Sequence, residues 1–206
     1  MLDTFPTKIK TCQVSDGPHK TIYFPQVVIT KDRPLENVVN QAIVTQTQEL
    51  IDKQTDNMPT TVEEMIGLYE LKNNQRQVLS LSLSNYTYHH QAVHGMTFIK
   101  SLTFDLKNHQ LCQLKDLFKP GSDYVEKLSN LIKQQIKQRD IPTLTEFQAI
   151  KPNQDFYIAD KTVVIYFQLY EITPYVYGFP MFPISVYDIQ DIIDENGLLE
   201  RLIASH

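Results

Sequence analysis

The clearest pattern in the chain is an alternation of apolar and polar residues with a period of two over residues 65–106. It is most regular in VLSLSLS, where Leu79, Leu81 and Leu83 alternate with serines. Because successive side chains of a strand point to opposite faces, we expect these leucines to face a core and the serines to face water or a partner. Short connections between such strands predict an antiparallel meander. The predicted strands are residues 64–73, 76–89 and 95–106, with turns at Asn73-Asn74, 90–95 and 107–109.

Just before the meander, apolar residues recur with the spacing of a helix instead of at every second position. Asp32-Arg33-Pro34 is a helix-start signal, and the apolar positions that follow recur every three or four residues until near Lys53. A strand is predicted before the helix at residues 21–29, where Pro25 favours a sheet edge or a bulge. We therefore expect an amphipathic helix that lies on a sheet.

A second amphipathic helix is predicted after the meander. It follows a short irregular element at residues 111–118, begins after Ser122, which is a good N-cap, and is ended by Pro142. Residues 143–150 are expected to add another helical turn.

The last part of the chain contains an almost continuous apolar run, TVVIYFQLY at residues 162–170. Such a run predicts a central strand that is covered on both faces. The remaining predictions are a short strand at 156–158, a turn at Asp160-Lys161, a strand at 184–186 and a helical stretch at 187–193 that is stopped by Asn196-Gly197.

Together these elements predict an α+β fold, an antiparallel sheet (meander) with two or more helices packed on one face. We expect one compact, soluble domain over residues 1–206, because no linker, repeat or low-complexity tract divides the chain. Its expected parts are an extended N-terminal segment at 1–20, a strand-helix-meander half at 21–110 and a helix-strand-strand-helix half at 111–206.

Charge and cysteine content narrow the possible partners. The net charge of −5 argues against nucleic acid, which requires a surplus of lysine and arginine on one face. Cys12 and Cys112 form no metal-ligand motif. They could pair in an exported protein or stay reduced, and we favour the reduced state. No apolar run is long enough for a signal peptide or for a transmembrane helix, so as written the chain is not expected to be addressed for export.

The motifs of common enzymes are absent, including GxSxG, HExxH, GxGxxG and the phosphate-binding GxxxxGK[ST]. His90 and His94 would share a face of a strand, but no third ligand is evident, so neither a metal nor a cofactor is expected. Glu171 ends the apolar run and could be a partly desolvated acid, although we favour a role in accepting backbone hydrogen bonds at the next loop. Asp105 lies at a strand end beside a turn. We therefore do not expect an enzyme.

Aromatic residues concentrate between the apolar run and the C-terminus. Tyrosine is common where one end of a side chain packs and the other stays wet, as in protein interfaces and sugar-stacking platforms. We assign Phe167 to the core and treat the proline-punctuated loop after it as the candidate binding surface. The candidate binding residues are Tyr170, Glu171, Tyr175, Tyr177 and Phe179, with His90 and His94 as further candidates.

Two segments, residues 85–136 and 156–193, resemble a known family. Their motifs are AVHG at 92–95, TFDL at 103–106, LKDLF at 114–118 and YEI at 170–172. They resemble the extracytoplasmic sensor domain of the RsiV anti-sigma factor, a lysozyme receptor, which also precedes the catalytic domain of a peptidoglycan N-deacetylase. The resemblance implies the domain type and an extracytoplasmic location, while the matched motifs lie at turns and imply no catalytic residue.

The sequence therefore predicts a non-enzymatic binding module for a cell-wall glycan or for a protein such as lysozyme. One alternative is a polysaccharide hydrolase or deacetylase that uses Glu171 or Asp105, with or without a metal at His90 and His94. Another is a cytoplasmic or spore-associated interaction protein that acts as a homo-oligomer, which the missing export signal motivates.

Overall fold

The protein is described by a computed structural model that covers residues 7–55 and 61–203. It combines two β-sheets with several helices, so the predicted α+β class is confirmed. The chain divides into two compact units, a first unit at residues 1–111 and a second unit at residues 112–206. The expectation of a single domain stays a prediction.

The first unit is built on a six-stranded sheet with the strand order β1-β2-β3-β4-β5-β6. All neighbouring strands are antiparallel except β2 and β3, which are parallel. Parallel neighbours need a crossover connection, and helix α1 at Arg33–Thr55 lies between them in the chain. The strands are β1 Lys8–Ser15, β2 Lys20–Val28, β3 Val62–Gln75, β4 Val78–His89, β5 Met96–Asp105 and β6 Gln110–Leu111. The predicted meander is confirmed as β3-β4-β5.

Helix α1 starts where the sequence predicts, because the Asp32 side chain caps it. Asp32 Oδ1 accepts the backbone N–H of Leu35 at 3.1 Å, which satisfies one of the unpaired amides of the first turn. One face of the helix packs on the sheet and forms the core of this unit with the β4 leucines, as expected. The fully or nearly fully buried members include Val27, Leu35, Val39, Ile43, Leu50, Leu79, Leu81, Leu83 and Phe104.

Two of the β4 serines, Ser80 and Ser82, are buried and do not face water, so the first of the two alternatives predicted for them is wrong. Ser80 is 0% exposed and Ser82 is 6% exposed. Their burial is tolerated because the hydroxyls have partners: Ser80 Oγ lies 2.8 Å from Thr103 Oγ1 on the neighbouring β5 strand. The period of two therefore identified the strand but not the exposure of its second face.

The turn between β3 and β4 is formed by Arg76 and Gln77 rather than by Asn73-Asn74. Both turn residues have left-handed φ values, 52° and 58°, which is the geometry of a two-residue hairpin turn that matches the strand twist. Asn73 stays in β3, and its Nδ2 donates to the carbonyl oxygen of Val78 at 2.7 Å. The amide side chain thus braces the hairpin from within the strand.

The N-terminal segment was expected to be merely extended, but residues 8–15 form the outer strand β1. β1 pairs with β2 along its whole length, with Thr11 opposite Pro25. β2 pairs with β3 only through Lys20, Thr21 and Ile22. Pro25 therefore lies where β2 has a strand neighbour on one side only, in agreement with the edge position that proline favours.

The second unit contains a three-stranded antiparallel sheet with the order β7-β8-β9. Its central strand β8 is covered on both faces, as predicted, since Val163, Ile165 and Tyr166 are all 0% exposed. The strand is shorter than predicted and ends at Tyr166 instead of Tyr170. The elements of this unit are α2 Tyr124–Gln138, β7 Phe156–Ala159, β8 Thr162–Tyr166, β9 Met181–Ser185 and α3 Leu198–Ile203, with 3-10 helices at Leu114–Leu117, Tyr175–Tyr177 and Val186–Ile192.

Two further predictions for this unit are corrected, and one helix was missed. The N-cap of α2 is Asp123 and not Ser122. Residues 143–150 contain no helical turn, and helix α3 was not predicted. The short α3 escapes a pattern search because one and a half turns contain too few residues to establish a period.

Candidate functional site

The predicted binding loop connects β8 to β9, and residues 167–180 are called the aromatic loop below. Its two ends are joined, because the backbone N–H of Phe167 donates to the carbonyl oxygen of Pro180 at 3.2 Å. Beneath it, the ring of Phe167 packs edge-on against Phe182 and Phe147, at 5.7 Å between centroids in each case. The loop therefore rises from a buried aromatic base.

The segment that was predicted to be helical braces this loop instead. The backbone N–H of Leu144 donates to the carbonyl oxygen of Ile172 at 2.9 Å. Phe147 supplies one of the rings of the aromatic base. Residues 143–150 thus run beside the loop and satisfy its backbone.

The first turn of the aromatic loop is closed twice. The backbone N–H of Glu171 donates to the carbonyl oxygen of Gln168 at 3.1 Å, and the backbone N–H of Gln168 donates to Glu171 Oε2 at 2.9 Å. Between them Tyr170 has a φ of 63°, a left-handed conformation that costs a non-glycine residue roughly 1–2 kcal/mol. The hydrogen bonds hold Tyr170 in that conformation.

Glu171 is engaged at both of its carboxylate oxygens. Besides the bond to Gln168, its Oε1 accepts from Lys151 Nζ at 2.8 Å. This hydrogen bond and the charge of Glu171 raise the pKa of Lys151. Gln168 Nε2 in turn donates to Asp155 Oδ2 at 2.9 Å. Glu171 is therefore the hub of a polar network in the loop after β8, where it accepts a backbone hydrogen bond as predicted.

Tyr170 and Tyr175 are brought together, with their ring centroids 5.4 Å apart and the planes tilted by 32°. Tyr170 is 47% exposed, and Val176 at the tip of the loop is 92% exposed. The 3-10 turn Tyr175–Tyr177 ends at Gly178, whose φ of 79° suits glycine. The result is an exposed apolar and aromatic surface on a hydrogen-bonded loop.

The other two aromatic candidates contribute less to this surface. Tyr177 and Phe179 are half-buried, and the backbone N–H of Tyr177 donates to the carbonyl oxygen of Pro174 at 3.0 Å. They act as supports of the turn more than as contact residues.

His90 and His94 lie in the first unit and do not share a strand face, because β4 ends at His89 and both follow in the turn to β5. Both are exposed, His90 Nδ1 is paired with a carboxylate oxygen of Glu63, and His94 Nδ1 lies 3.0 Å from the carbonyl oxygen of Gly95. Among the residues that the structure describes, no group of three or more histidine, cysteine, aspartate or glutamate side chains could hold a metal ion. Neither Cys12 nor Cys112 forms a disulfide bond within the described residues.

Sequence reasoning missed the partners that hold the site. Lys151 is 20 positions from Glu171 along the chain, and no pattern of residues connects them. A second missed pair is Lys161 and Tyr187, where Nζ lies 3.1 Å from the phenol oxygen. Val176 could have been noticed, since an aliphatic residue among tyrosines and prolines in a loop has no core to enter.

The arrangement is suited to ligand binding. An exposed ring can stack on a flat apolar surface, while the neighbouring ammonium and carboxylate can meet polar groups at its rim.

The fold and this loop define an α+β protein that presents aromatic side chains on a braced loop. Residues 115–187 match the family described as "Protein of unknown function (DUF3298)". The matched residues include the aromatic loop.

Solved structures agree with the fold. A crystal structure of a DUF3298 family member from Bacteroides fragilis NCTC 9343 has a TM-score of 0.69 at 17% identity, with 95% of this chain and 97% of that chain covered. A DUF3298 family protein from Pseudomonas aeruginosa PAO1 has a TM-score of 0.68 at 15% identity, with coverage of 98% and 97%. At these identities the likeness shows the fold alone.

A relative of described activity is also found. The chain is 25% identical over 151 residues to the peptidoglycan-N-acetylmuramic acid deacetylase PdaC of Bacillus subtilis (strain 168). The match covers 69% of this chain and 32% of that protein, so the chain spans about a third of the relative's length. Within residues 7–55 and 61–203, no helix has the length and apolarity needed to cross a membrane.

Proposed function

We propose that this chain is a non-catalytic binding module for a bacterial cell-wall glycan, and that the aromatic loop is the contact surface. The observation that carries the proposal is the 47% exposed ring of Tyr170 beside the Lys151–Glu171 ion pair on a doubly closed turn. The name of the relative, which acts on peptidoglycan, supports the choice of glycan.

The chemistry of the loop suits a sugar chain. The apolar faces of pyranose rings pack on aromatic rings, and their hydroxyl and amide groups need hydrogen-bonding partners at the edge. The side chain of Lys151 is 70% exposed while its ammonium bonds to Glu171, so it can also attract carboxylate groups of the ligand. A fixed loop lowers the ordering cost of binding.

Co-sedimentation with purified insoluble peptidoglycan tests this function. We expect Tyr170→Ala to weaken binding about tenfold, which is about 1.4 kcal/mol and typical of a truncated interface tyrosine. Tyr23→Ala, which removes a 37% exposed tyrosine of the first unit, is the matched control and should bind like the wild type. If the wild-type chain stays in the supernatant at every peptidoglycan concentration, the glycan function is wrong.

The tip of the loop favours a second candidate, a protein ligand such as lysozyme. Val176 is an aliphatic side chain with 92% exposure, and exposed aliphatic side chains are more typical of protein contacts than of sugar contacts. Calorimetric titration with lysozyme distinguishes the two ligands. If the protein is the ligand, Val176→Asp abolishes the heat of binding, whereas glycan binding depends on Tyr170 and tolerates this change.

The non-catalytic part of the proposal is supported by the engagement of both candidate acids. Asp105 is buried, and its Oδ1 accepts the backbone N–H groups of Lys107 and Asn108 at 3.0 and 3.1 Å, so it stabilises the turn after β5. Glu171 is held as described above. Hydrolase or deacetylase activity on peptidoglycan that is present in the wild type and lost in Glu171→Gln would contradict this part.

A further inference from the structure

Tyr170 occupies a backbone conformation that its own side chain disfavours. Its φ of 63° lies in the left-handed region, where glycine and asparagine are common and tyrosine is rare. A tyrosine has no hydrogen-bonding reason to be in that region, in contrast to asparagine or aspartate. Strained residues of this kind persist only where neighbouring contacts hold them, and they cluster at binding sites.

Two hydrogen bonds that close the turn around Tyr170 involve Glu171. The backbone bond between Glu171 and Gln168 closes the turn around Tyr170, and the carboxylate closes it again from the side chain. Lys151 then fixes the orientation of that carboxylate through the bond to Oε1. The hydrogen bonds from Lys151 through Glu171 to the backbone of Gln168 therefore close the turn that contains Tyr170, whose ring is exposed.

From this geometry we infer that Glu171 and Lys151 are positioning residues, which hold Tyr170 in a strained conformation so that its ring is presented for ligand contact. This inference rests on the proposed function for the identity of the ligand. It differs from the sequence prediction, in which Glu171 was itself a binding residue.

The first test uses Tyr170→Gly, which removes the strain of the backbone and also the ring that is inferred to contact the ligand. Glycine adopts a φ of 63° without strain, so we expect the melting temperature of the variant to stay unchanged or rise, while binding to purified peptidoglycan falls at least tenfold. Asp140→Gly is the matched control, because Asp140 has a φ of 50° at the exposed end of α2 in the same unit. It should raise the melting temperature and leave binding unchanged. A Tyr170→Gly variant that still binds like the wild type overturns the inference.

The second test asks whether Glu171 acts through Tyr170. The chain is labelled with fluorotyrosine, and the fluorine resonance of Tyr170 is identified by its loss in Tyr170→Phe. We expect Glu171→Ala to shift or broaden this resonance and to weaken peptidoglycan binding to a similar extent as Tyr170→Ala. Glu171→Gln keeps an oxygen that can accept from the Gln168 amide, so it should retain most of the resonance position and most of the binding.

The outcomes are distinct. If Glu171→Ala weakens binding but leaves the Tyr170 resonance unchanged, Glu171 contacts the ligand directly and the positioning role is wrong. If the resonance moves in Glu171→Ala but the wild-type chain binds no peptidoglycan, the positioning of Tyr170 by Glu171 is supported and the glycan function is wrong. Lys151→Met should shift the Tyr170 resonance and weaken binding as Glu171→Ala does, but to a smaller extent. An unaltered resonance in Lys151→Met would show that Lys151 does not position Tyr170.

Discussion

The central strands of the two units, β4 and β8, are both buried, but they differ in what they bury. β4 carries polar side chains inside: Ser80 bonds to Thr103, and near the end of the strand the Gln54 side chain of α1 donates to the carbonyl oxygens of Asn85 and Met96. β8 buries almost only aliphatic and aromatic groups. In the second unit the polar network lies at the surface instead, under Tyr170.

This difference indicates which interactions the stability of each unit depends on. A buried hydrogen bond stabilises little when it is made but is costly when one partner is removed, so the first unit depends on matched polar pairs. An apolar strand depends on volume and packing. The second unit can therefore use its polar side chains to shape a surface loop. The following predictions test the comparison, beginning with the largest effect.

Truncating a buried side chain of β8 should lower the free energy of unfolding more than any of the changes that follow. Ile165 is 0% exposed, and Ile165→Ala leaves a cavity that we expect to lower the free energy of unfolding by about 2–5 kcal/mol. Urea unfolding followed by circular dichroism measures the change. Val176→Ala, which truncates an exposed aliphatic residue of the same unit, should change it by less than about 0.5 kcal/mol.

The polar end of β4 should give the next largest effect. Gln54→Leu preserves the size of a side chain that is 4% exposed but removes the donor from two carbonyl oxygens, and we expect a loss of about 1–3 kcal/mol. Gln48→Leu makes the same change on the exposed face of α1 and should be nearly neutral. Equal unfolding midpoints for the two variants would show that the buried amide is dispensable.

The hydroxyl pair of β4 and β5 should show coupling. Ser80→Ala leaves the Thr103 hydroxyl without this partner, at a cost of about 1 kcal/mol. Thr103→Val in the same chain removes the second hydroxyl and should recover most of that loss, because replacing both partners by apolar groups can be nearly neutral. A double-mutant cycle measures the coupling, and strictly additive losses would contradict it.

The smallest predicted effects are changes in how stability depends on pH, and these changes have opposite signs in the two units. The backbone N–H of Ile29 donates to Glu36 at 2.6 Å and, together with Arg33, lowers the pKa of Glu36. When a carboxyl group has a lower pKa in the folded state, its ionised form stabilises the fold. This stabilisation is fully present above the unfolded pKa and is lost as the pH falls through the folded pKa. Melting curves of Glu36→Gln should therefore show less loss of stability on acidification than the wild type.

Lys151 behaves in the opposite way. Its pKa is raised by the hydrogen bond to Glu171, so its contribution is complete below the unfolded pKa and is lost as the pH rises through the folded pKa. Lys151→Met should flatten the alkaline limb of the same melting series. A change confined to the acid limb would contradict this assignment.

Much of the fold could be predicted because it depends on local patterns. The leucines of β4, the Asp32 cap of α1 and the apolar run of β8 each identify an element without reference to the rest of the chain. The helix after Ser122 was also placed within two residues of its start. These signals are local because they arise from backbone geometry and from the burial of one face.

The candidate site was predicted only in part. The tyrosines and Glu171 were found because aromatic residues and prolines cluster in one loop. Lys151 and Asp155 could not be found, because their contacts join residues that are far apart along the chain. The left-handed φ of Tyr170 was equally hidden, since nothing in the residue type predicts it.

By itself, the sequence determined the α+β class, the meander and the aromatic composition of the loop, because side-chain hydrophobicity and its period act over a few residues. Only the tertiary structure decided that the β4 serines are buried, that β8 stops at Tyr166 and that Glu171 holds the turn below Tyr170. The physical reason is that exposure and hydrogen-bond partners depend on which distant segments meet.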